Sequence, residues 1–419
     1  MTITPVPPKP GLSILVQKYG GTSVASADHV RNVARRVVGS KRQGKSVVVV
    51  VSAMGKTTDE LVRLSREISA RPPRRELDML LHAGEIISAS LLAMAIDAEG
   101  EPATSFTGYQ AGMITDASHT EARIQDVQGQ RVVDELAAGR IVVITGFQGM
   151  TVEREITTLG RGGSDTSAVA FAVGIGADRC EILTDVDGVY TADPRVVDRP
   201  RKLPWCSYDE MLEMASLGAK VLHSRSVEIA RRFDMPLVVS SSFQETPGTW
   251  ICSDESGRKE FGAMEEVSIR GVAHNANVVK VSLVGVPDQP GVAAKVFEAV
   301  SRHGAKILLI VQAERRAGSN DISFLVSSDS LPLIEDDIAT LAKELTDTKV
   351  VVDTDVGTVS TVGDGVQSSP GIAARMFSSL ARENINIDLI STSNLMITCV
   401  VPKDQLENAV QAVHREFLE

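Results

Sequence analysis

The C-terminal part of this chain repeats itself. Pro290-Gly291 recurs as Pro370-Gly371, Phe297 as Phe377 and Ile307 as Ile387, each pair 80 positions apart. A fixed offset means that one supersecondary unit has been used twice. In each copy a strand-like run (Val281–Gly285, Val359–Gly363) leads through the Pro-Gly turn into an apolar-periodic helix (Val292–His303, Ile372–Glu383). A further strand follows around Ile307–Val311 or Ile387–Ile390. This order describes a small βαββαβ-like unit. The second copy runs out after the helix Lys403–Leu418 without a closing strand, whereas Val267–Val272, ahead of the first copy, is surplus. The surplus strand is therefore expected to complete the second unit, with the first inserted within it.

Ahead of the repeat, strand-like and helix-like patterns alternate from residue 12 to about 250. The expected strands are Ile14–Gln17, Ser46–Val51, Ala103–Phe106, Arg140–Thr145, Glu181–Leu183 and Leu237–Ser240. The expected helices are Ala27–Val38, Glu76–Ile96, Glu121–Ala138, Ser164–Gly174 and Ala219–Phe233. Alternation of this kind predicts an α/β fold, a mostly parallel sheet sandwiched by helices, with ligands beyond the carboxyl ends of the strands. A Pro-, Gly-, Ser- and charge-rich stretch, 246–266, reads as the linker between the two regions.

At 419 residues the chain is too long for one ordinary core, so several domains are expected. The net charge of −11 argues against a nucleic-acid partner but leaves anionic small substrates open. Cys180, Cys206, Cys252 and Cys399 form no CxxC pair and read as buried, reduced thiols. The proline-rich N-terminus does not read as a secretory signal, and the apolar run Val47–Val51 is too short to span a bilayer. A cytoplasmic protein with no membrane partner is expected.

Three runs carry chemistry. In Lys18-Tyr19-Gly20-Gly21-Thr22-Ser23 a strand delivers a lysine to its carboxyl edge, and two glycines then open backbone N–H groups to an anion. This is a phosphate cradle outside the usual nucleotide motifs. Gly160-Arg161-Gly162-Gly163-Ser164-Asp165 opens an apolar helix; Arg161 offers a fork for a carboxylate and Asp165 a partner for an ammonium. Taken alone, that run has a second reading, a helix cap with a solvated arginine. Thr184-Asp185 through Tyr190-Thr191-Ala192-Asp193-Pro194-Arg195 either holds a nucleotide and its magnesium or is an ordinary Asx-rich turn. Lys220 stands where a helix begins, Glu85 is polar in an otherwise apolar helix, and Ser52 ends the second strand. Gly55-Lys56-Thr57-Thr58 mimics the tail of a Walker A loop, but Val50 replaces its first glycine. Gly363-Asp364-Gly365-Val366-Gln367-Ser368 lacks the third glycine of a dinucleotide fingerprint and reads as a turn.

In order and spacing, Lys18–Ser23, Val51–Met54, Gly84-Glu85, Gly160–Asp165, Thr184–Arg195 and Gly218–His223 together resemble the aspartate kinases of the amino-acid kinase superfamily. The resemblance covers nearly the whole chain. It implies an amino-acid kinase catalytic domain over 12–250, a linker over 251–265 and a regulatory region over 266–419. The latter holds two ferredoxin-like ACT domains, the first about 276–352 and the second about 353–419 plus the strand 267–272. The implied reaction is transfer from ATP, with Mg²⁺ carried by the nucleotide, to the side-chain carboxylate of L-aspartate. That is the first step toward lysine, threonine and methionine.

Residue by residue, the resemblance makes Lys18 and Asp165 catalytic. It places ATP on Lys18, Tyr19, Gly20, Gly21, Thr184, Asp185, Tyr190, Thr191, Ala192, Asp193, Pro194, Arg195 and Lys220. Aspartate falls to Thr22, Ser23, Ser52, Thr57, Glu85, Arg161, Gly162, Gly163, Ser164 and Asp165. Lysine, threonine or both are the implied effectors, at Asp288, Gly291, Ala293, Gln312, Asn386, Ile387, Thr392 and Ser393. A homodimer through the ACT domains is implied, or an α2β2 assembly with a separately translated regulatory subunit starting at Met264. Ser224 and Asn394 depart from the family pattern, at a helix start and near the effector pocket respectively. The competing readings are another amino-acid or carbamate kinase of the same fold, and a non-catalytic ACT-domain amino-acid sensor.

Overall fold

The computed structural model describes residues 3–7, 9, 11–219, 221–262, 269–302, 304–315, 318–345 and 348–419. The chain forms two compact units. The first comprises Met1–Val189, Lys202–Ala215 and Lys220–Met264; the second comprises Tyr190–Arg201, Ser216–Ala219 and Glu265–Glu419.

In the first unit the strands are β1 (Ile14–Tyr19), β2 (Ser46–Val51), β3 (Ala103–Phe106), β4 (Met113–Thr115), β5 (Ile124–Val127) and β6 (Ile141–Thr145). They continue as β7 (Gln148–Met150), β8 (Ile156–Thr158), β9 (Arg179–Thr184), β10 (Trp205–Ser207), β11 (Leu237–Ser241) and β12 (Thr249–Cys252). The helices are α1 (Ala27–Arg42), α2 (Thr57–Ile68), α3 (Arg74–Ala98), α4 (Gln130–Ala137), α5 (Gly163–Gly174), α6 (Tyr208–Ser216), α7 (Ser224–Phe233) and α8 (Asp254–Phe261).

The main sheet runs β10-β12-β11-β9-β1-β2-β6-β3, parallel except between β11 and β12. Its central strands β2 and β6 are near-continuous apolar runs and β1 begins with one, because helices cover both faces. Ser26 starts α1 by accepting the His29 N–H, and the helix buries the stripe Val30, Val33, Ala34, Val37 and Val38. Helix α3 is long and apolar enough to cross a membrane by length and composition, and it packs along α1, β3 and β6. The four cysteines are buried and unpaired.

Two expected helices are corrected. The segment Glu121–Ala138 divides into β5 and the shorter α4, because Gly129 passes so close to α5 that a Cβ there would lie 2.6 Å from Ile175 Cγ2. Strand β5 joins β4, β7 and β8 in a small second sheet, which periodicity did not foreshadow because its strands have three or four residues. The helix expected from Ala219 starts at Ser224, where His223 Nδ1 accepts the Arg225 N–H at 3.4 Å.

In the second unit the strands are β13 (Gly271–Asn275), β14 (Val278–Pro287), β15 (Ile307–Arg315), β16 (Ser319–Ser327), β17 (Lys349–Asp353), β18 (Val356–Val362), β19 (Leu389–Thr392) and β20 (Met396–Pro402). The helices are α9 (Val292–Ser301), α10 (Leu331–Glu344), α11 (Gly365–Ser368), α12 (Ile372–Arg382) and α13 (Leu406–Leu418). They build two antiparallel sheets, β15-β16-β14-β17 and β13-β18-β20-β19. The repeat is visible in its turns: Gly291 (φ +92°) and Gly371 (φ +93°) both adopt the left-handed conformation just before α9 and α12. Strand β13, which precedes the first sheet in the chain, pairs with β18 in the second. It begins at Gly271, later than the expected Val267; Val267, Ser268 and Met264 lie outside the described residues.

Candidate active site

Lys18 is the fifth residue of β1, between β2 and β9, and the strand carries it to the carboxyl edge of the sheet. Its Nζ lies 2.6 Å from Asp165 Oδ1, both side chains nearly buried. Asp165 sits in the first turn of α5, where the helix dipole favours a carboxylate. Asp165, expected as a partner for a substrate ammonium, here pairs with the ammonium of Lys18. The ammonium is thereby held and aimed by a fixed partner.

The turn after β1 is tight. Gly20 is extended, and a Cβ on it would stand 3.7 Å from Lys18 Nζ, so the position leaves room beside the ammonium without an unusual φ. Gly21 is needed for approach: a Cβ there would meet the Ala53 carbonyl at 2.8 Å. Thr22 is exposed, whereas Ser23 is buried and donates to Ser242 Oγ at 2.7 Å. Ser52, half-buried, donates its N–H to the Tyr19 carbonyl.

Glu85 projects from α3 at 3% exposure. Its Oε1 accepts the Ala53 N–H at 3.0 Å, and Oε2 has no partner. Burial pushes its carboxyl up to about 7, the Ala53 hydrogen bond pulling partly the other way. A carboxylate so placed can receive an ammonium.

The Gly160–Asp165 run is built from two left-handed glycines, Gly160 (φ +77°) and Gly162 (φ +67°). A Cβ on Gly162 would fall 2.2 Å from the His223 ring. Arg161 is exposed and makes no ion pair or side-chain hydrogen bond among the described residues. Ser164 closes against Gly146, at the end of β6, where a Cβ would meet Ser164 Oγ at 2.9 Å.

The family model for the amino acid kinase family matches residues 13–241, and ACT-domain models match 277–344 and 359–417. An aspartokinase of Mycolicibacterium smegmatis is 48% identical over 97% of this chain and 96% of its own length. The chain belongs to the aspartokinase family. Among solved structures, aspartokinase III of E. coli in complex with aspartate and ADP, described as the R-state, superposes with a TM-score of 0.80 at 26% identity. It covers 97% of this chain and 100% of its own. The same E. coli enzyme in complex with lysine and aspartate, described as the T-state, gives a TM-score of 0.76 over the same shares at 26% identity.

Several of the expected contact residues also have partners within the protein. Tyr19 is fully buried with its hydroxyl 3.4 Å from Gln17 Oε1, and burial raises its phenol far above the usual range. Ser23 serves Ser242, and Thr57 donates to the Met54 carbonyl at the start of α2. Within the Thr184–Arg195 run, Thr184 Oγ1 donates to Asp185 Oδ1 at 3.1 Å. Arg195 closes a two-point pair on Asp193, which holds the Asp193 carboxyl below its ordinary range. The run is shared between units: Thr184 and Asp185 belong to the first, Tyr190–Arg195 to the second. Thr191 and Ala192 are buried there, and Pro194 is exposed. Lys220 lies outside the described residues.

Sequence reasoning missed the groups that brace the Gly160 loop. Asp78, fully buried two turns before Glu85 on the same face of α3, accepts from Thr158 Oγ1 at 2.5 Å and from the Thr120 N–H at 3.1 Å, with His119 Nδ1 at 2.7 Å. Gly160 packs against the carbonyl of the same Thr120, which a Cβ would approach to 3.0 Å. Arg225 donates to the Leu159 carbonyl at 2.6 Å and the Ala122 carbonyl at 2.9 Å. The signal available was the spacing of Asp78 and Glu85, two acids seven residues apart in an apolar helix. A cleft of about 500 Å³ lies beside α1 and Phe243, lined by Leu15 and Gln17 of β1 but not by Lys18. Its cations are already bonded: Arg36 to the Ser241 carbonyl, Lys45 to Ser13 and Arg179 to Glu181.

In the second unit, Asp288 accepts from Asn320 Nδ2 at 3.0 Å, Gly291 has open space around it, and Ala293 packs partly against the core. Gln312, Asn386, Thr392 and Ser393 are exposed, and Ile387 is half-buried.

Proposed function

We propose that this chain phosphorylates the side-chain carboxylate of L-aspartate with MgATP, giving 4-phospho-L-aspartate and ADP. The observation that carries the assignment is the Lys18–Asp165 pair at the carboxyl edge of β1, 2.6 Å apart and beside the Gly20-Gly21 turn. The substrate carboxylate is itself the nucleophile, so no enzyme-bound intermediate is needed. The protein's share is positioning and neutralisation of charge. Lys18 meets the transferring phosphoryl oxygens, and Gly20 and Gly21 bring backbone close to them. An ammonium about 4 Å from those oxygens is worth roughly 4 kcal/mol at an effective dielectric of ~20, or about three powers of ten in rate.

Arg161, with no partner of its own among the described residues, is suited to the α-carboxylate. Glu85 suits the ammonium, because Asp165 is already engaged and Glu85 Oε2 is not. Ser52, Ser164 and Thr22 border the same strand ends and complete the aspartate site. Thr184, Asp185, Tyr190, Asp193, Arg195 and Lys220 hold ATP, with Thr191 and Ala192 shaping the segment from beneath. Among the described residues no group of three or more acidic, histidine or cysteine side chains forms a metal cage. The donors present fit a magnesium carried by the triphosphate, with Asp185 the nearest acid in the nucleotide run.

Lysine, threonine or both are the proposed inhibitors, acting on a homodimer or an α2β2 assembly in the cytoplasm. Lysine in the E. coli T-state complex supports that class of effector. The exposed Gln312, Asn386, Thr392 and Ser393 supply polar groups suited to an amino acid. A hydroxamate assay for aspartyl phosphate with ATP tests the reaction. Repeating it with lysine, threonine and the pair tests regulation; turnover indifferent to all three at millimolar concentration overturns the regulatory assignment.

A further inference from the structure

The segment Tyr190–Arg201 is built into the core of the second unit. Ala192 and Val197 join the hydrophobic cluster formed by Val272 of β13, Met376 of α12 and Val410 and Val413 of α13. Hydrogen bonds fix the path of the same segment. The Thr191 N–H donates to the Arg201 carbonyl at 2.9 Å, and the Thr191 carbonyl accepts the Val272 N–H at 2.7 Å. Gln411 of α13 donates from Nε2 to the Val196 carbonyl at 2.9 Å. The segment before Lys220 meets the same strand: Gly218, at φ +116°, comes so close to β13 that a Cβ would lie 2.2 Å from the His274 carbonyl oxygen.

At the centre of this contact stands His414, fully buried on α13 one turn beyond Gln411. Its Nε2 lies 2.9 Å from Thr191 Oγ1, and its Nδ1 lies 3.4 Å from the Glu419 carboxylate. The Thr191 hydroxyl oxygen already accepts the Arg201 N–H at 2.9 Å, so its own proton is free to go to Nε2. Nδ1–H then faces Glu419. Burial holds the imidazole below the ordinary histidine range, consistent with a neutral ring. A buried polar pair of this kind is conspicuous among the apolar side chains around it, where two hydrocarbon groups would have packed without a desolvation penalty.

We propose that His414 is a positioning residue for the kinase reaction, holding the segment Tyr190–Arg195 through Thr191 in the conformation that receives the nucleotide. This rests on the reading of Thr184–Arg195 as the nucleotide run. A group that positions the nucleotide affects ATP and leaves aspartate recognition alone, whereas a residue that merely stabilises the fold moves the melting temperature without that selectivity.

The test uses the full chain, with steady-state kinetics for both substrates, calorimetric ADP binding and thermal melts. In His414→Ala the KM for ATP and the Kd for ADP rise about tenfold, with aspartate KM within about twofold. His414→Gln, whose amide can still meet the Thr191 hydroxyl, recovers most of the loss. Thr191→Val matches His414→Ala, and the double variant is no worse than either single one. A lowered melting temperature with unchanged ATP KM and ADP Kd overturns the proposal. So does a parallel rise in both substrate KM values, or additive effects in the double variant. If wild-type protein binds ADP but forms no aspartyl hydroxamate, the aspartate kinase reading fails. The ADP titrations of the variants still decide the role of His414.

Discussion

Replacing Glu85 by glutamine should remove a pH dependence that the fold builds into substrate recognition. Glu85 is 3% exposed, gives one oxygen to the Ala53 N–H, leaves the other unpartnered and has its carboxyl pushed up to about 7 by burial. It grips an ammonium only when ionised. With a pKa near 7, roughly 10% of it is ionised at pH 6 and roughly 90% at pH 8. At saturating ATP, kcat/KM for aspartate should therefore rise about tenfold across that interval in the wild type. Glu85→Gln should flatten the profile. At pH 8 it should also lose a charge-assisted hydrogen bond of about 1.5–3 kcal/mol, on the order of ten- to a hundredfold in kcat/KM.

Stability should move the other way. The folded carboxyl has a higher pKa than the unfolded one, so the unfolded chain binds fewer protons between about 4.5 and 7. Wild-type stability from this group is intact below about 4.5, falls through that window, and is lower by up to about 3 kcal/mol above it. Glutamine carries no such titration, so the melting temperature of the ligand-free variant relative to wild type should climb from pH 5 to pH 8. A wild-type kcat/KM that is flat from pH 6 to 8, or a Glu85→Gln profile that keeps the wild-type slope, refutes the reasoning.

Lys18→Met should reduce kcat by on the order of a thousandfold while the protein stays folded, since the side chain is held by Asp165 at the mouth of the sheet and supplies charge; near-normal turnover removes it from the chemistry. Arg161→Ala should raise the aspartate KM with little change in ATP KM, and an unchanged aspartate KM takes Arg161 out of the substrate site. Gly162→Ala forces a Cβ into the His223 ring from a left-handed backbone. It should destabilise the protein by about 1–3 kcal/mol and weaken aspartate binding, read from thermal melts and aspartate KM together.

The alternation of strands and helices, the 80-residue repeat and the Lys18 cradle were legible because each depends on local pattern. Ser46–Val51 and Ala103–Phe106 were both placed to the residue; for Ser46–Val51 the reason is that a run of five valines bounded by serines has one way to sit in a covered parallel sheet. The three- and four-residue strands β4, β5, β7 and β8 were not, because so short a stretch carries no period. Arg225 was invisible as a brace because its partners are the Leu159 and Ala122 carbonyls, and backbone groups leave no mark in the residue string; the partners of Asp78 (Thr158, His119 and the Thr120 N–H) lie 41 to 80 positions away.

Sequence alone determined which residue types were available for phosphoryl chemistry and in what order they come. It could name Lys18, Asp165, Arg161 and Glu85, because a charged residue at a strand end or inside an apolar helix breaks a local pattern. Tertiary structure decided what each of them faces. It paired Asp165 with Lys18, left Glu85 half-partnered, and folded Thr191 and Ala192 into the core beneath α13. Those outcomes rest on contacts between residues far apart along the chain, such as the 223 positions between Thr191 and His414. No periodicity records such a contact, because the energy that selects it comes from burial and hydrogen bonding that exist only once the chain has folded.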